Sequence, residues 1–234
     1  VPTISSAGSA PRAAALTTYP ITASGGATKQ PYVFTLNPGV LTVDPRPVTL
    51  TGTKVYDGTT TVDPSSLALS NLVGTDVVTI TGSATTDSPN AKTYTAGAAS
   101  PNGMTTSGLS LSNTNYTLTS GTITYTISQA PLTSTGLILA DKVYDGTQNA
   151  TTVKTNPVLN GLIAGDVVTV QTSVGSFSAS DVGAYNVTTT QSLSGAAASN
   201  YQLSNPTSVS VVNITPKILT ITGLTVNAKT YDGN

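Results

Sequence analysis

The chain is 234 residues long and sparsely charged: 8% of its residues are charged, nine basic against ten acidic, for a formal net charge of −1. It has no Cys, His, Trp or Glu, which excludes a disulfide scaffold and removes the residues on which acid–base and nucleophile–histidine catalysis usually rest. The basic residues are scattered, which argues against a nucleic-acid partner, and no run of about eighteen apolar residues offers a helix for membrane insertion.

Residues 1–46 open the chain. QPYVFTLNPGVLTVDP within them follows the closing pattern of later segments, so 1–46 reads as the back part of a preceding repeat. Residues 47–130 and 131–215 read as two full repeats. Each begins at a proline joint (DPRPVTLTG, then SQAPLTSTG) and carries a matching central segment, LVGTDVVTI at 72–80 and LIAGDVVTV at 162–170. Each closes on an Asn-Tyr strand segment. Residues 216–234 read as the opening of a following repeat, and the whole as a mature piece or a window cut from something longer. Tyrosines keep the period: Tyr32, Tyr116 and Tyr201 are 84 and 85 residues apart, Tyr56, Tyr144 and Tyr231 are 88 and 87 apart, and Tyr94 matches Tyr185. Such recurrence assigns them to the scaffold.

Strand is the expected element throughout. In GTITYTIS, Ile123, Tyr125 and Ile127 alternate with threonines. Thr is β-branched and fits a pleated strand with its hydroxyl in water. The pattern predicts an all-β chain of tandem small β-sandwich (Ig-like) modules. The alternative, β-grasp-like modules, needs one real helix, for which DPSSLALSNL (63–72) is the candidate, while LSGAAASN (193–200) suits a single helical turn. Copy one departs in spacing. Gly52 precedes Lys54 by two positions, whereas six separate Gly136 from Lys142 and Gly223 from Lys229, which predicts a shorter or bulged first strand in 47–130.

The candidate site is the motif K-x-Y-D-G, present as Lys54, Tyr56, Asp57 and Gly58, as Lys142, Tyr144, Asp145 and Gly146, and as Lys229, Tyr231, Asp232 and Gly233. Asp-Gly between extended segments predicts a two-residue type I′ hairpin. The tyrosine would cover the open end of a sandwich, and the lysine stem would lie along that ring with its ammonium in water. This structural-turn reading is set against two chemical ones. Asp57 or Asp145 with Asp76 or Asp166 would make a calcium joint between modules, for which the acids are few. An amide crosslink would join Lys54 or Lys142 to Asn115 or Asn200, with Asp57 or Asp145 as the adjacent acid. The turn reading is preferred, with no catalytic residue, no metal and no cofactor.

K-x-Y-D-G-T, then G-D-V-V-T, then N-Y-x-L, then I-T-P-x-x-L-T-I-T-G resembles the YDG-type repeats of very large bacterial surface adhesins of the filamentous haemagglutinin kind. Residues 18–45 are similar to the related MBG repeats of the same proteins. The resemblance covers nearly the whole chain except residues 1–15. It implies a structural stalk or spacer, secreted or on the bacterial cell surface, that supports adhesion or biofilm formation. Its partners would be neighbouring repeats of the same fibre and host or matrix glycans or proteins. The other functional class is a lectin-like module. Short Pro joints without Gly/Ser linkers, and strands spanning roughly 26–33 Å, predict a rod about 100 Å long.

Overall fold

Alternating threonines and apolar residues, cut at short intervals by Gly and Pro, give strands and very little else. The computed structural model describes residues 3–10, 13–25, 35, 37–99 and 101–233. It divides into two units, residues 1–130 and 131–234.

In the first unit, β1 (Thr3–Ser5), β2 (Thr17–Ser24) and β3 (Gly39–Val43) form an antiparallel sheet in that order. Seven further strands follow: β4 (Arg46–Val55), β5 (Thr61–Val62), β6 (Leu67–Ser70), β7 (Ile80–Thr86), β8 (Thr93–Ala96), β9 (Gly103–Leu111) and β10 (Tyr116–Ser128). They hydrogen-bond in the order β5-β7-β9-β8-β10-β4-β6. The period of two in the sequence becomes the inner face. Val48 and Leu50 on β4, Tyr94 and Ala96 on β8, and Ile123, Tyr125 and Ile127 on β10 are all buried. The first and last strands of this module run parallel: Arg46–Val48 pair with Tyr116–Leu118 and, past a bulge in β10, Leu50–Val55 pair with Ile123–Ser128.

The second unit holds β11 (Ala130–Thr135, starting at the boundary), β12 (Ile138–Leu139), β13 (Lys142–Val143), β14 (Val153–Thr155), β15 (Val158–Asn160), β16 (Thr169–Val174), β17 (Gly183–Ser194), β18 (Tyr201–Leu203) and β19 (Thr207–Thr215). They form three sheets, ordered β15-β11-β18, β12-β14 and β13-β19-β17-β16. Leu139, Phe177, Val187, Val212 and Ile214 make a core cluster, in which the Phe177 and Tyr185 rings meet edge to face at 5.8 Å. Residues 216–233 carry no strand, against the strand expected from the alternation in KILTITGLTV (217–226), whose apolar side chains are exposed.

The chain is all-β, with sandwich-like sheets. Residues 63–72 do not form the helix that a β-grasp module needs. Asp63 accepts from the Ser65 N–H and caps a single 3-10 turn, Pro64–Ser66, after which Leu67 and Leu69 alternate inward along β6. Residues 193–200 yield one 3-10 turn, Ala198–Asn200. The expected shortening of the first strand in 47–130 is reversed. There β4 runs unbroken for ten residues, while the corresponding stretch of 131–215 is split into β11, β12 and β13. The longer spacing after Gly136 is the cause. Its extra residues leave the ladder, with Gly136 at φ +80°, and place Leu139 in the core instead.

Candidate functional site

The YDG segments at 54–58 and 142–146 are loops that join strands of different ladders rather than hairpins. β4 and β5, on either side of Asp57-Gly58, pair with other strands and not with each other. Gly58 and Gly146 have φ of 76° and 75°, whereas Leu16 and Asn71 are the non-glycines at positive φ among the described residues. Neither Asp57 nor Asp145 therefore adopts the conformation that a type I′ turn demands. Each aspartate makes an Asx turn instead. Asp57 Oδ1 accepts from Thr59 N–H and Thr59 Oγ1 at 2.9 and 2.8 Å, and Asp145 Oδ1 accepts from the same atoms of Thr147, both at 2.9 Å.

The lysine ammonium is the centre of the loop, not a group in open water. Lys54 Nζ donates to Asp57 Oδ1 (2.8 Å), Thr59 O (2.8 Å), Thr59 Oγ1 (2.9 Å) and Thr61 O (2.9 Å). Lys142 Nζ reaches Asp145 Oδ1 at 2.9 Å, Thr147 O at 2.8 Å, Thr147 Oγ1 at 2.9 Å and Asn149 O at 3.3 Å. The side chains of Lys54 and Lys142 are 14% and 11% exposed. In the second copy the ring under the ammonium is Phe177, at 5.6 Å, rather than the motif tyrosine. Lys229 keeps its pair with Asp232 at 3.0 Å but is 62% exposed. The tyrosines differ more: Tyr56 is buried, whereas Tyr144 and Tyr231 are exposed.

These contacts set the charge state. Burial pushes the Asp57 carboxyl up, but the Lys54 ammonium and then the Thr59 N–H outweigh it and hold the group below its ordinary range. Asp145 is lowered to about 2, first by Lys142 and then by the Thr147 N–H.

Two further clasps recur. Tyr116 Oη donates to Asp76 Oδ2 at 2.6 Å and accepts from Val73 N–H at 3.0 Å. Tyr201 Oη does the same with Asp166 and with Ile163 N–H. Tyr94 and Tyr185 each donate to the carbonyl four residues earlier, Asn90 at 2.7 Å and Asp181 at 2.9 Å. The matched Gly-Asp and Asn-Tyr segments were visible as repeats, and only the structure joins them. Tyr32, first of that tyrosine series, lies outside the described residues.

Within the first module, Asp57 and Asp76 are not brought together, nor are Lys54 and Asn115. Asp76 is tied to Tyr116, which faces Arg46, while Asp57 follows the other end of the same ladder, where Val55 faces Ser128. The two carboxylates are therefore roughly a strand length apart, about 30 Å. No group of three or more potential metal ligands occurs among the described residues. Asn115 also sits at the Arg46 end, its carbonyl accepting from Arg46 N–H at 2.8 Å, far from Lys54 for an amide crosslink. In the second module the Lys142 ammonium is occupied by its own loop.

The sequence matches the family described as the YDG domain over residues 37–124 and 128–209. No curated protein and no solved structure matches it.

Proposed function

This chain belongs to the YDG domain family, and from that premise we propose that it is a run of structural spacer modules in a secreted or cell-surface bacterial adhesin or fibre, without catalytic activity. The observation that carries the reading is where the recurrent polar residues spend their bonds. Lys54 and Lys142, Asp57 and Asp145, and Tyr116 and Tyr201 all grip their own module's backbone or each other. A ligand site would leave such groups turned outward in a pocket. Neighbouring repeats are then the principal partners, with glycans or proteins bound elsewhere on the fibre. Small-angle scattering together with a glycan array on this chain tests the proposal. A rod-like particle with no glycan retained is expected. A compact particle, or a specific glycan held by these residues, overturns it.

One observation favours the second reading, a glycan-binding module. A groove of about 390 Å³ in the first unit is lined by Asp44, Arg46, Asp76, Asn113, Asn115 and Tyr116 among others, a polar set of the kind that orients sugars. Retention of a glycan that is lost on Asp44→Ala would select this reading.

A further inference from the structure

The geometry points to a mechanical role that differs between the two modules: residues 47–130 form a strong shear clamp, and residues 131–215 a weaker one that yields first under tension. This rests on the spacer reading, since a spacer transmits whatever load its tip receives.

In the first module the chain enters at the Arg46 end of β4 and leaves at the Ser128 end of β10. These strands are parallel and adjacent, with Arg46 opposite Tyr116 and Val55 opposite Ser128. Tension on the two ends therefore pulls from opposite ends of one ladder, along the strands. All the ladder hydrogen bonds are loaded together, instead of being peeled one after another. The ladder comprises three pairs before the bulge and six after it. It is closed at each end by a further bond, Arg46 N–H to Asn115 O and Tyr56 N–H to Ser128 O, both 2.8 Å. Thr122 Oγ1 bonds Val48 O across the bulge at 3.0 Å. Sliding would also drag the fully buried Val48, Leu50, Ile123, Tyr125 and Ile127 out of the core.

The second module keeps only part of this. β11 still lies beside the three-residue β18. The long run is gone, because the chain leaves the ladder after Thr135 and returns for two pairs, Lys142 with Ile214 and Val143 with Thr215. The far end is closed by Tyr144 N–H to Thr215 O at 2.8 Å, and beside β11 Ser204 N–H bonds Leu132 O at 2.8 Å while the Asn205 amide bonds the Ser134 N–H and carbonyl at 3.0 and 2.7 Å. Six simultaneous pairs have become two. Rupture under force is governed by the barrier to unfolding rather than by equilibrium stability, so similar melting behaviour of the modules would not hide the difference.

The chain has no cysteine, so pulling handles can be placed at will in the full chain for single-molecule force spectroscopy. Asp44→Cys with Gln129→Cys loads the first module in shear. Asp44→Cys with Thr114→Cys loads the same strands from one end and peels them. Gln129→Cys with Lys217→Cys loads the second module. Rupture in the first arrangement is expected at a force several-fold above both of the others, with an extension matching the residues between the handles. Equal forces in the first and second arrangements would overturn the clamp, and equal forces in the first and third would overturn the grading. Either failure leaves the spacer reading standing. That reading falls instead to a compact particle or a retained glycan, which leaves the ladder untouched.

Discussion

A lysine with four oxygen partners in one loop acts as the loop's internal cation. It collects the Thr59 and Thr61 carbonyls, or those of Thr147 and Asn149, which turn away from any strand ladder. Lys142→Met keeps the stem and removes the charge. It should lower the stability of the second unit by about 1–2 kcal/mol in chemical denaturation, the range for charged hydrogen bonds discounted for the half-exposed aspartate. The same clasp carries a pH signature. An unfolded Asp titrates near pH 3.9, and Asp145 is lowered to about 2 in the folded chain. A lowered folded value means the contribution is complete above about pH 4 and lost as pH falls through about 2. Denaturation midpoints of the parent and Asp145→Asn should differ at neutral pH and converge across that window. The recurrence of Lys, Asp and Gly was legible in the sequence. The burial of the ammonium was not, because a solvent-facing lysine and a loop-capped one share the same local pattern.

Among the elements, strand alternation read correctly along β10, where Ile123, Tyr125 and Ile127 are buried on the inner face. The Asp-Gly hairpin failed for a non-local reason. The dipeptide reports a turn, but the partner of each flanking strand is chosen by burial, and β10 and β7 take them. The Gly–Lys spacing acts opposite to expectation: the shorter spacing keeps the strand continuous and the longer one interrupts it. Gly52 shows how tightly the straight version is packed. A Cβ there would stand 2.7 Å from Leu67 Cδ2 and 2.8 Å from both Ser66 O and Tyr125 Cδ2. Gly52→Ala should therefore cost about 1–3 kcal/mol by overpacking, seen as a lower melting temperature of the first unit. The matching Gly136 has open space around the same position, so an alanine there meets only the strain of its positive φ.

Across the whole molecule the tyrosine period exposed the repeat, because residues that pin a module's own backbone must recur with the module. What the period could not show is which partners the pins hold, Asp76 and Asp166 among them. The same period casts 216–234 as the opening of another repeat. There Ile218, Leu219, Ile221, Leu224 and Val226 are at least 77% exposed, while their counterparts Val48, Leu50 and Leu132 are fully buried. Fusing the remainder of a repeat, a copy of residues 60–130, directly after Asn234 should convert rapid amide exchange across 217–228 into slow exchange. Exchange monitored by mass spectrometry on the two chains checks this.

The occupied lysines also bear on digestion. Trypsin must take a lysine or arginine side chain into its own acidic pocket, and the ammonium groups of Lys54 and Lys142 are already held by their loops. Lys154, Lys217 and Lys229 stand exposed. Limited proteolysis should therefore cut at the exposed lysines and trim the tail at Lys217 and Lys229 first, while Lys54 and Lys142 survive until their modules unfold. Peptide masses over a time course would show that order. Where the loop is closed, as at Lys54 and Lys142, the recurring lysine is withheld from a protease that must grip its ammonium.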